Sequence, residues 1–381
     1  MKIALLITDN REPSKQHGLA EPIFGAAPAA LLQGFAALPE IEVHVVSCLR
    51  QPVRSPEKLA PNIFYHSVVV PKFGWMRTGY QGCIRATRRK LREIQPDIVH
   101  GQGTELNCGI SAVFSGCPNV LTIHGNMRSV AKYYAARPGS FLWLAARLEA
   151  FTLRRTGGVF CNSAYTEELV SPLAKKTWRV PNALRMEFFA PLAGREKSAV
   201  PVLLNVGVVQ PYKRQLELLA VARNLQRRGL KFEMQFAGDR MLHTAYGAEF
   251  DRQLAAAPAG CARHLGEQST AQLLAAMDAG RALVHFSAEE SFGLVVAEAL
   301  ARNLKFFGAA TGGVVDIASG VDGAELFSGG DFAALENSLA RWLTAGGPPP
   351  RNAAQTMRQR YHPEIVARQH LGVYREILKA G

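Results

Sequence analysis

The sequence predicts two doubly wound α/β domains, because short apolar segments alternate with helix-length segments and this alternation begins twice. With 381 residues, the chain is longer than the ~250–300 residues at which a single hydrophobic core stops growing. Apolar residues make up 48% and charged residues 20% of it, which is ordinary for a globular protein and excludes disordered and fibrous classes. Short apolar strands separated by helices are typical of parallel sheets with crossover connections.

The first domain is expected to begin with a buried strand followed by a helix. Strands are predicted at Ile3–Ile7, Glu42–Ser47, Asp97–His100, Val120–His124 and Gly158–Asn162, and the first helix at Pro28–Leu38. The distances between these strands along the chain leave room for the crossover helices that parallel strands require.

The same layout then starts again. A strand is predicted at Val202–Val206, a helix at Gln215–Arg228, and further strands at Phe232–Ala237, Ala282–Phe286 and Lys305–Phe307. Between the two series, Phe189–Ala199 combines proline, glycine and three consecutive charges, which predicts a linker. Two such domains are expected to leave a cleft at the C-terminal ends of their sheets, where ligands commonly bind.

Targeting and redox signals favour the cytoplasm. The apolar run before Asp9 is too short for a secretory signal, and the longest uncharged stretches are interrupted by proline, glycine, asparagine or histidine, which disfavours a membrane span. The six cysteines form no Cys-x-x-Cys pair. Reduced, buried thiols are therefore expected rather than disulfides or a zinc site.

A glycine-bearing loop follows the first strand of the second domain. Gly207 comes directly after that strand, and Lys213 and Arg214 stand just before the next helix. Glycine lets the backbone approach a phosphate closely, and the helix offers its positive N-terminus. Lys213 or Arg214 could add a mobile cation. The alternative is an ordinary exposed loop lysine, because this arrangement is common.

The most informative motif lies between Glu290 and Glu298. A turn followed by a helix is expected here, with Ser291, Phe292 and Gly293 in the turn and the helix beginning at Leu294. Amides at a helix start bind phosphate. Glu298 could bind a ribose diol, as acidic residues do in dinucleotide sites, and Glu290 could reach the sugar end of the same ligand. Two solvated glutamates flanking a helix cap are the alternative.

Two histidines are expected at the C-terminal ends of strands in the first domain. His100 and His124 are each followed by glycine, and this edge of a parallel sheet faces the cleft. A single histidine is more often a core or surface residue, but the repetition favours a functional role for His124. Gly312 and Gly313 form another turn, for which a ligand contact and a purely structural turn are equally good explanations.

Positive charge is concentrated in the first half. Residues 1–190 contain 23 Lys/Arg and 13 Asp/Glu, against 21 and 18 in the remainder. An anionic partner of this half and a basic surface that is merely solvated explain this excess equally well. A helix over Ile84–Ile94 is expected to carry an arginine stripe, made of Arg85, Arg88, Arg89 and Arg92. Such a helix can lie on an acidic membrane, with Trp75 as an interfacial anchor; a crossover helix with a solvated outer face is the alternative. Nucleic acid is disfavoured, because basic and aromatic residues are not interleaved.

Together these motifs resemble the retaining GT-B glycosyltransferases of glycosyltransferase family 4, in the same order along almost the whole chain. The matching segments are Ile23-Phe-Gly-Ala-Ala, Ile94-Gln-Pro-Asp-Ile-Val-His100, Leu121-Thr-Ile-His-Gly, Cys161-Asn-Ser163, Val180-Pro-Asn182-Ala, the loop from Gly207 to Lys213, the motif from Ser287 to Glu298 and the Gly312-Gly313 turn. The resemblance implies a GT-B fold, two Rossmann-like domains facing a central cleft. Residues 1–188, completed by a C-terminal helix over 364–381, would bind the acceptor, and residues 189–363 would bind the nucleotide sugar.

The resemblance also implies roles for single residues. Lys213 would neutralise the diphosphate of a nucleotide-diphosphate sugar, Glu290 would bind the transferred sugar and Glu298 the ribose. His124 would lie beside the sugar and the β-phosphate. Further donor contacts would come from Gly25, Gly207, Arg214, Ser291, Phe292, Gly293 and Leu294. No cofactor and no metal are expected, since the sequence contains no Asp-x-Asp. The acceptor would be a glycan or a lipid-linked molecule, and the basic first half favours an anionic one.

Departures from the family pattern keep other functions open. Val208 stands where arginine is usual, and Arg214 replaces the glycine that commonly follows the lysine. A nucleotide-sugar-binding subunit without activity, and a nucleotide-sugar epimerase or phosphorylase of the same fold, are therefore alternatives. The preferred interpretation is a hexosyltransferase of cell-surface polysaccharide, lipopolysaccharide or glycolipid biosynthesis. It would be cytoplasmic and in peripheral contact with the acidic inner face of the membrane.

Overall fold

A computed structural model of the chain describes residues 1–191 and 200–380 and divides into two compact units. The first unit comprises Met1–Arg185 and Tyr361–Gly381, and the second comprises Met186–Arg360. Most of the predicted linker, including its three consecutive charges, lies outside the described residues.

The first unit is built on an eight-stranded sheet. Its strands are β1 (Lys2–Leu6), β2 (Glu42–Leu49), β3 (Lys58–Ala60), β4 (Ile63–Val69), β5 (Ile98–Gln102), β6 (Asn119–Ile123), β7 (Val159–Cys161) and β8 (Thr177–Arg179). Their order is β3-β4-β2-β1-β5-β6-β7-β8, and only β3 runs antiparallel to its neighbour. The helices that follow these strands are α1 (Ala26–Ala36), α2 (Gln81–Ile94), α3 (Asn107–Val113), α4 (Met127–Tyr133), α5 (Phe141–Leu153) and α6 (Ala164–Val170).

The second unit contains a six-stranded sheet in which every pairing is parallel. Its strands are β9 (Val202–Val206), β10 (Glu233–Ala237), β11 (Ala262–Gly266), β12 (Ala282–His285), β13 (Lys305–Ala309) and β14 (Ala324–Phe327), in the order β11-β10-β9-β12-β13-β14. Its helices are α7 (Gln215–Arg227), α8 (Ala245–Ala255), α9 (Thr270–Ala279), α10 (Leu294–Ala301), α11 (Val314–Ala318), α12 (Phe332–Thr344) and α13 (Ala353–Tyr361). The last helix of the chain, α14 (Pro363–Ala380), belongs to the first unit.

These two Rossmann-like units confirm the predicted fold class. Each predicted strand is present, with bounds that differ by no more than a few residues. The strands that the sequence did not predict are the four sheet edges β3, β8, β11 and β14, together with β4 beside one edge. Edge strands are only half covered, as the intermediate burial of β11 and β14 shows, so they lack the continuous apolar run that marks a buried parallel strand.

Helix α14 packs into the core of the first unit. Its side chains Val366, Leu371 and Tyr374 are buried in the same cluster as Phe35 of α1. The Tyr374 hydroxyl lies 2.5 Å from Nδ1 of His100, a histidine that is fully buried on β5. His100 Nε2 lies 2.7 Å from the Thr122 hydroxyl. Both ring nitrogens of His100 are therefore hydrogen-bonded inside the first unit.

Helix α2 is a packed crossover helix whose outer face is basic. Ile84 and Leu91 are buried, whereas the predicted stripe of Arg85, Arg88, Arg89 and Arg92 is exposed. The expectation that Trp75 is an interfacial anchor is wrong. Its ring is buried, and its indole N–H donates to the carbonyl of Val70 at 3.1 Å. The exposed aromatic ring in this segment is Phe73, at 86%.

The contact between α1 and α14 leads to a test of packing. A Cβ added at Gly34 would lie 2.2 Å from the carbonyl oxygen of Pro363, whereas one at Gly372 on α14 would meet nothing within 4 Å. We expect Gly34→Ala to destabilise the first unit by about 1–3 kcal/mol, as overpacking does. Gly372→Ala is the matched control and should stabilise α14 by up to ~1 kcal/mol. Thermal unfolding measures both, and equal midpoints for the two variants would refute this packing.

Candidate active site

The strand order of the second unit defines where a ligand site is expected. From β9 the chain continues to β10 on one side, whereas β12, on the other side of β9, leads on to β13. The loops after β9 and β12 therefore leave the sheet in opposite directions and open a crevice at the C-terminal ends of the strands, which is where open α/β sheets bind ligands. These two loops carry Lys213 and Glu290.

The loop after β9 depends on two glycines. Gly207 adopts a φ of 150°, in the region that favours glycine. A Cβ added at Gly238 would lie 2.2 Å from the carbonyl oxygen of Gly207, and one at Gly207 would lie 3.9 Å from Cδ and Cε of Lys213. The stem of Lys213 thus passes directly over Gly207, from a short 3-10 turn at Pro211–Lys213.

The loop after β12 is held by glycines as well. Gly293 precedes α10 with a φ of 98°, which turns the chain into the helix. A Cβ at Gly313 would lie 2.5 Å from the carbonyl oxygen of Ser291 and 2.6 Å from Cα of Phe292. Gly313 also donates its amide to the carbonyl of Glu290 at 3.0 Å. The Gly312-Gly313 turn therefore packs closely against Glu290, Ser291 and Phe292 and holds this segment in place.

A backbone hydrogen bond and an ion pair connect the loop after β9 to the loop after β12. The amide of Ala288 donates to the carbonyl of Tyr212 at 2.7 Å. Lys213 Nζ lies 2.5 Å from Oε2 of Glu290, and His285 Nε2 lies 3.1 Å from the same oxygen. The side chains are mostly buried, with 15% of Lys213, 19% of Glu290 and 2% of His285 exposed. Lys213, Glu290 and His285 are called the charge cluster below.

Protonation in the charge cluster follows from burial and charge. Burial opposes ionisation of Glu290, but the positive charge of Lys213 and the contact with His285 lower the pKa of Glu290 to about 2. Burial, and then the charge of Lys213, lower the pKa of His285 below 6.5 despite the opposing effect of Glu290. Near neutral pH the site thus holds a carboxylate and a neutral imidazole. Since the carboxylate only accepts, Nε2 carries the imidazole proton.

The other predicted residues of this unit differ in their burial and in their contacts. Glu298 is buried, with 5% exposed, in the second turn of α10. Arg214 adopts a left-handed backbone at the start of α7, and its guanidinium lies over the ring of Phe332, 5.9 Å from the ring centre. Among the contacts of the described residues, none joins Arg214 to Glu290. Val208, in the position where arginine is usual, is 38% exposed.

His124 of the first unit stands where β6 ends. Its Nε2 lies 2.9 Å from Oε1 of Gln102. Burial lowers the pKa of His124 to about 4, while Asn182 acts in the opposite direction, so the imidazole is neutral near pH 7. The amide of Gly125 donates to Glu105 at 3.0 Å, which fixes the turn after the histidine.

Gly25 marks the start of α1 in the same unit. Its φ of −59° is open to any residue, and a Cβ there would lie 3.7 Å from Cδ of Pro28, an ordinary contact. The fold of the described chain therefore does not itself demand glycine at this position. The loop before it is held by the fully buried ion pair of Arg11 with Asp9, at 2.6 Å, which the sequence did not reveal.

His285 is the functional candidate that sequence reasoning missed. It ends β12 just before the two-glutamate motif, and it carries the same sequence signal as His124, a histidine at the C-terminal end of a buried strand. Within residues 1–191 and 200–380, no group of three or more His, Cys, Asp or Glu side chains is placed to hold a metal ion. Over the same part of the chain, no helix is both long enough and apolar enough to cross a membrane.

Comparison with known families identifies the protein class. Residues 29–188 match the model described as Glycosyltransferase Family 4, and residues 193–360 match the model described as Glycosyl transferases group 1. Together these ranges span most of the chain, one in each unit. The chain therefore belongs to the GT-B glycosyltransferases and is an enzyme of that class. No curated protein sequence matches it.

Solved structures share this fold at low sequence identity. Sucrose-phosphate synthase from Thermosynechococcus elongatus is 19% identical over the full length of both chains, with a TM-score of 0.77. HepE of Anabaena, solved in complex with UDP and glucose, is 16% identical over 99% of this chain and 100% of its own, with a TM-score of 0.70. The lipopolysaccharide outer core galactosyltransferase WaaB, in its apo form, is 15% identical over 99% and 100%, with a TM-score of 0.64.

The lowered pKa of Glu290 gives a test of the charge cluster. Because the folded-state pKa, about 2, lies below the ordinary value of 4.5, the carboxylate stabilises the fold above about pH 4.5, and this contribution is lost as pH falls toward 2. We expect the thermal midpoint of Glu290→Gln to lie below that of the wild type near neutral pH, with the gap closing as the solution is acidified. Glu267→Gln, an exposed carboxylate of the same unit, is the control. A gap that stays constant with pH for Glu290→Gln would contradict the pairing.

Proposed function

We propose that this enzyme is a retaining glycosyltransferase that moves a sugar from a nucleotide-diphosphate sugar to a glycan or a lipid-linked acceptor. The observation that carries the proposal is the charge cluster at the strand switch of the second sheet, next to the glycine-led start of α10. A cation for phosphate, a carboxylate for sugar hydroxyls and the N-terminal end of a helix then lie within one crevice. HepE, which shares the fold, is described in complex with UDP and with UDP-glucose, and this supports a nucleotide-sugar donor.

Each part of the donor has a matching group in the second unit. We assign the diphosphate to Lys213 and to the first amides of α10, since the leading N–H groups of a helix lack partners within it and carry partial positive charge. The buried carboxylate of Glu298 would accept hydrogen bonds from the ribose diol, as acidic residues do in dinucleotide sites. Glu290 would accept a hydroxyl of the transferred sugar.

The chemical step needs charge stabilisation at the leaving group. As the bond between the anomeric carbon and the phosphate oxygen breaks, negative charge grows on the diphosphate. Preorganised cations and amides, here Lys213 and the start of α10, stabilise such charge without reorganising, so the proposal needs no metal and no cofactor. Retention then follows from attack on the face that the phosphate leaves, with the leaving phosphate accepting the proton of the acceptor hydroxyl.

The first unit is assigned to the acceptor. For His124 of this unit we keep the role that the resemblance implies, beside the transferred sugar and the β-phosphate of the donor, where its neutral imidazole can exchange hydrogen bonds with sugar oxygens without adding charge. Arg85, Arg88, Arg89 and Arg92 make the outer face of α2 basic, and Phe73 stands exposed near them in the chain. These features favour an anionic or lipid-linked acceptor and a peripheral position on the acidic inner face of the membrane. We propose surface-glycan biosynthesis as the pathway; WaaB, which shares the fold and is described as a lipopolysaccharide outer core galactosyltransferase, supports this proposal.

The valine at position 208, where arginine is usual, leaves two other functions open. The missing guanidinium weakens the expected phosphate clamp, and the guanidinium of Arg214 lies on Phe332 rather than in the charge cluster. A nucleotide-sugar-binding subunit without activity would bind donors but not turn them over. An epimerase or phosphorylase would consume the donor, or form it from phosphate, without a second sugar acceptor. Analysis of the products formed from a bound donor separates these functions.

The donor assignment is tested by measuring the binding of nucleotide sugars. A panel of UDP-, GDP- and ADP-sugars is screened by thermal shift, and at least one donor should stabilise the wild type, since a ligand at about 100 times its Kd adds about 2.7 kcal/mol. For that donor, Lys213→Ala and Glu298→Gln should weaken binding by about tenfold or more, as expected when a hydrogen bond to a charged group is lost. Lys231→Ala, an exposed lysine of the same unit, should bind normally. Wild-type protein that responds to no donor would refute the proposal.

The membrane assignment is tested by flotation with liposomes. Each basic residue near an acidic surface contributes about 1 kcal/mol, so a variant with Arg88→Glu and Arg92→Glu should leave liposomes that contain phosphatidylserine, while the wild type floats with them. A variant with Arg227→Glu and Lys231→Glu, which changes the charge equally in the second unit, should still float. Wild-type protein that stays in the soluble fraction would contradict the assignment.

A further inference from the structure

Two groups share one oxygen of Glu290. Lys213 Nζ and His285 Nε2 both contact Oε2, at 2.5 Å and 3.1 Å. Among the hydrogen bonds of the described residues, none ends on Oε1. The carboxylate is thus held by one oxygen, and its other oxygen is the one left to face a ligand.

The position of His285 is fixed more firmly than that of Lys213. His285 is the last residue of β12 and pairs in register with Gly308 of β13. A Cβ at Gly308 would lie 2.7 Å from the carbonyl oxygen of His285, so the two strands approach closely at this point. Lys213 instead reaches Glu290 through a flexible four-carbon stem from a loop.

Lys213 and His285 would have different roles once a donor binds. Lys213 is the cation assigned to the diphosphate, and an ammonium that turns toward phosphate gives up part of its contact with Glu290. His285 is uncharged near neutral pH, because burial and the charge of Lys213 lower its pKa, and a neutral imidazole is not drawn to phosphate. Its N–H is therefore the contact that Glu290 keeps.

We propose that His285 is a positioning residue, whose Nε2–H holds Oε2 of Glu290 so that Oε1 is presented to a hydroxyl group of the donor sugar. The inference rests on the proposed function and adds to it the residue that orients the sugar-binding carboxylate. A side chain that acts in this way should affect recognition of the sugar and the chemical step. It should not affect affinity for the nucleoside diphosphate alone, which Glu290 is not assigned to touch.

Three substitutions at this one position separate orientation from packing. His285→Phe keeps a ring and removes the donor, His285→Gln places an amide N–H near the position of Nε2, and His285→Asn carries the same amide on a shorter side chain that does not reach Oε2. The measurements are kcat and KM for donor turnover, the affinity for UDP or the matching nucleoside diphosphate by calorimetry, and the pH profile of kcat. His243→Gln, at an exposed position, controls for histidine replacement in general.

We expect His285→Phe to lower kcat by about 10- to 100-fold, as the loss of a hydrogen bond to a charged group does, while affinity for the nucleoside diphosphate stays within about twofold. His285→Gln should recover most of kcat, and His285→Asn should not. The acid limb of the profile should move to higher pH in His285→Phe, because the contact with His285 helps to lower the pKa of Glu290, and it should return toward its original position in His285→Gln.

Equal kcat values for His285→Gln and His285→Asn would overturn the inference, even if His285→Phe does not fold. The same conclusion follows if His285→Phe turns over the donor like the wild type, or if it loses nucleoside diphosphate affinity and kcat together. If the proposed function is wrong, the result is different: the wild type binds neither the nucleoside diphosphate nor any nucleotide sugar. That result would refute the positioning role as well.

Discussion

The ion pair between Lys213 and Glu290 is the constraint on which the arrangement of the second unit depends. It joins two loops that leave the sheet in opposite directions, and both side chains are largely removed from water. Burying two charges costs solvation energy that their attraction offsets only when the geometry is good. Stability alone is therefore a weak reason to keep such a pair. A site that must meet a charged ligand gives a better reason, because the cation and the carboxylate are already in place.

The glycines around the charge cluster serve this arrangement in different ways. Gly207 and Gly293 provide backbone angles that other residues rarely adopt. Gly238, whose φ of 140° is also in that region, and Gly313 allow two segments to touch, since a Cβ at either position would lie under 3.0 Å from the neighbouring backbone. Phosphate-binding loops need both properties, a chain that turns sharply and a backbone that can be approached closely. The glycine positions thus support the charge cluster independently of the side chains.

The sequence predicted the central strands well and the edges poorly, for a physical reason. Buried strands such as β9 and β12 are mostly apolar, with one polar residue each, Asn205 and His285, whereas β11 and β14 are only partly covered and carry mixed residues. The direction in which a side chain points was the second feature that the sequence could not predict. A tryptophan among basic residues suggested a membrane anchor, but the ring of Trp75 turns into the core. The motifs identified Lys213 and Glu290 as candidate site residues. They could not predict that these two side chains form an ion pair, or that His285 contacts the same carboxylate, because these contacts depend on loop geometry that no local sequence pattern encodes.

Hydrogen–deuterium exchange of the full chain, with and without its nucleotide-sugar donor, tests the central claim that the second unit holds the donor through the two loops at its strand switch. The account predicts that the donor slows exchange in two segments, residues 207–215 and 287–298, and that Lys213→Ala removes most of this protection. Protection confined to residues 1–185, or protection in the second unit that Lys213→Ala leaves unchanged, would contradict it.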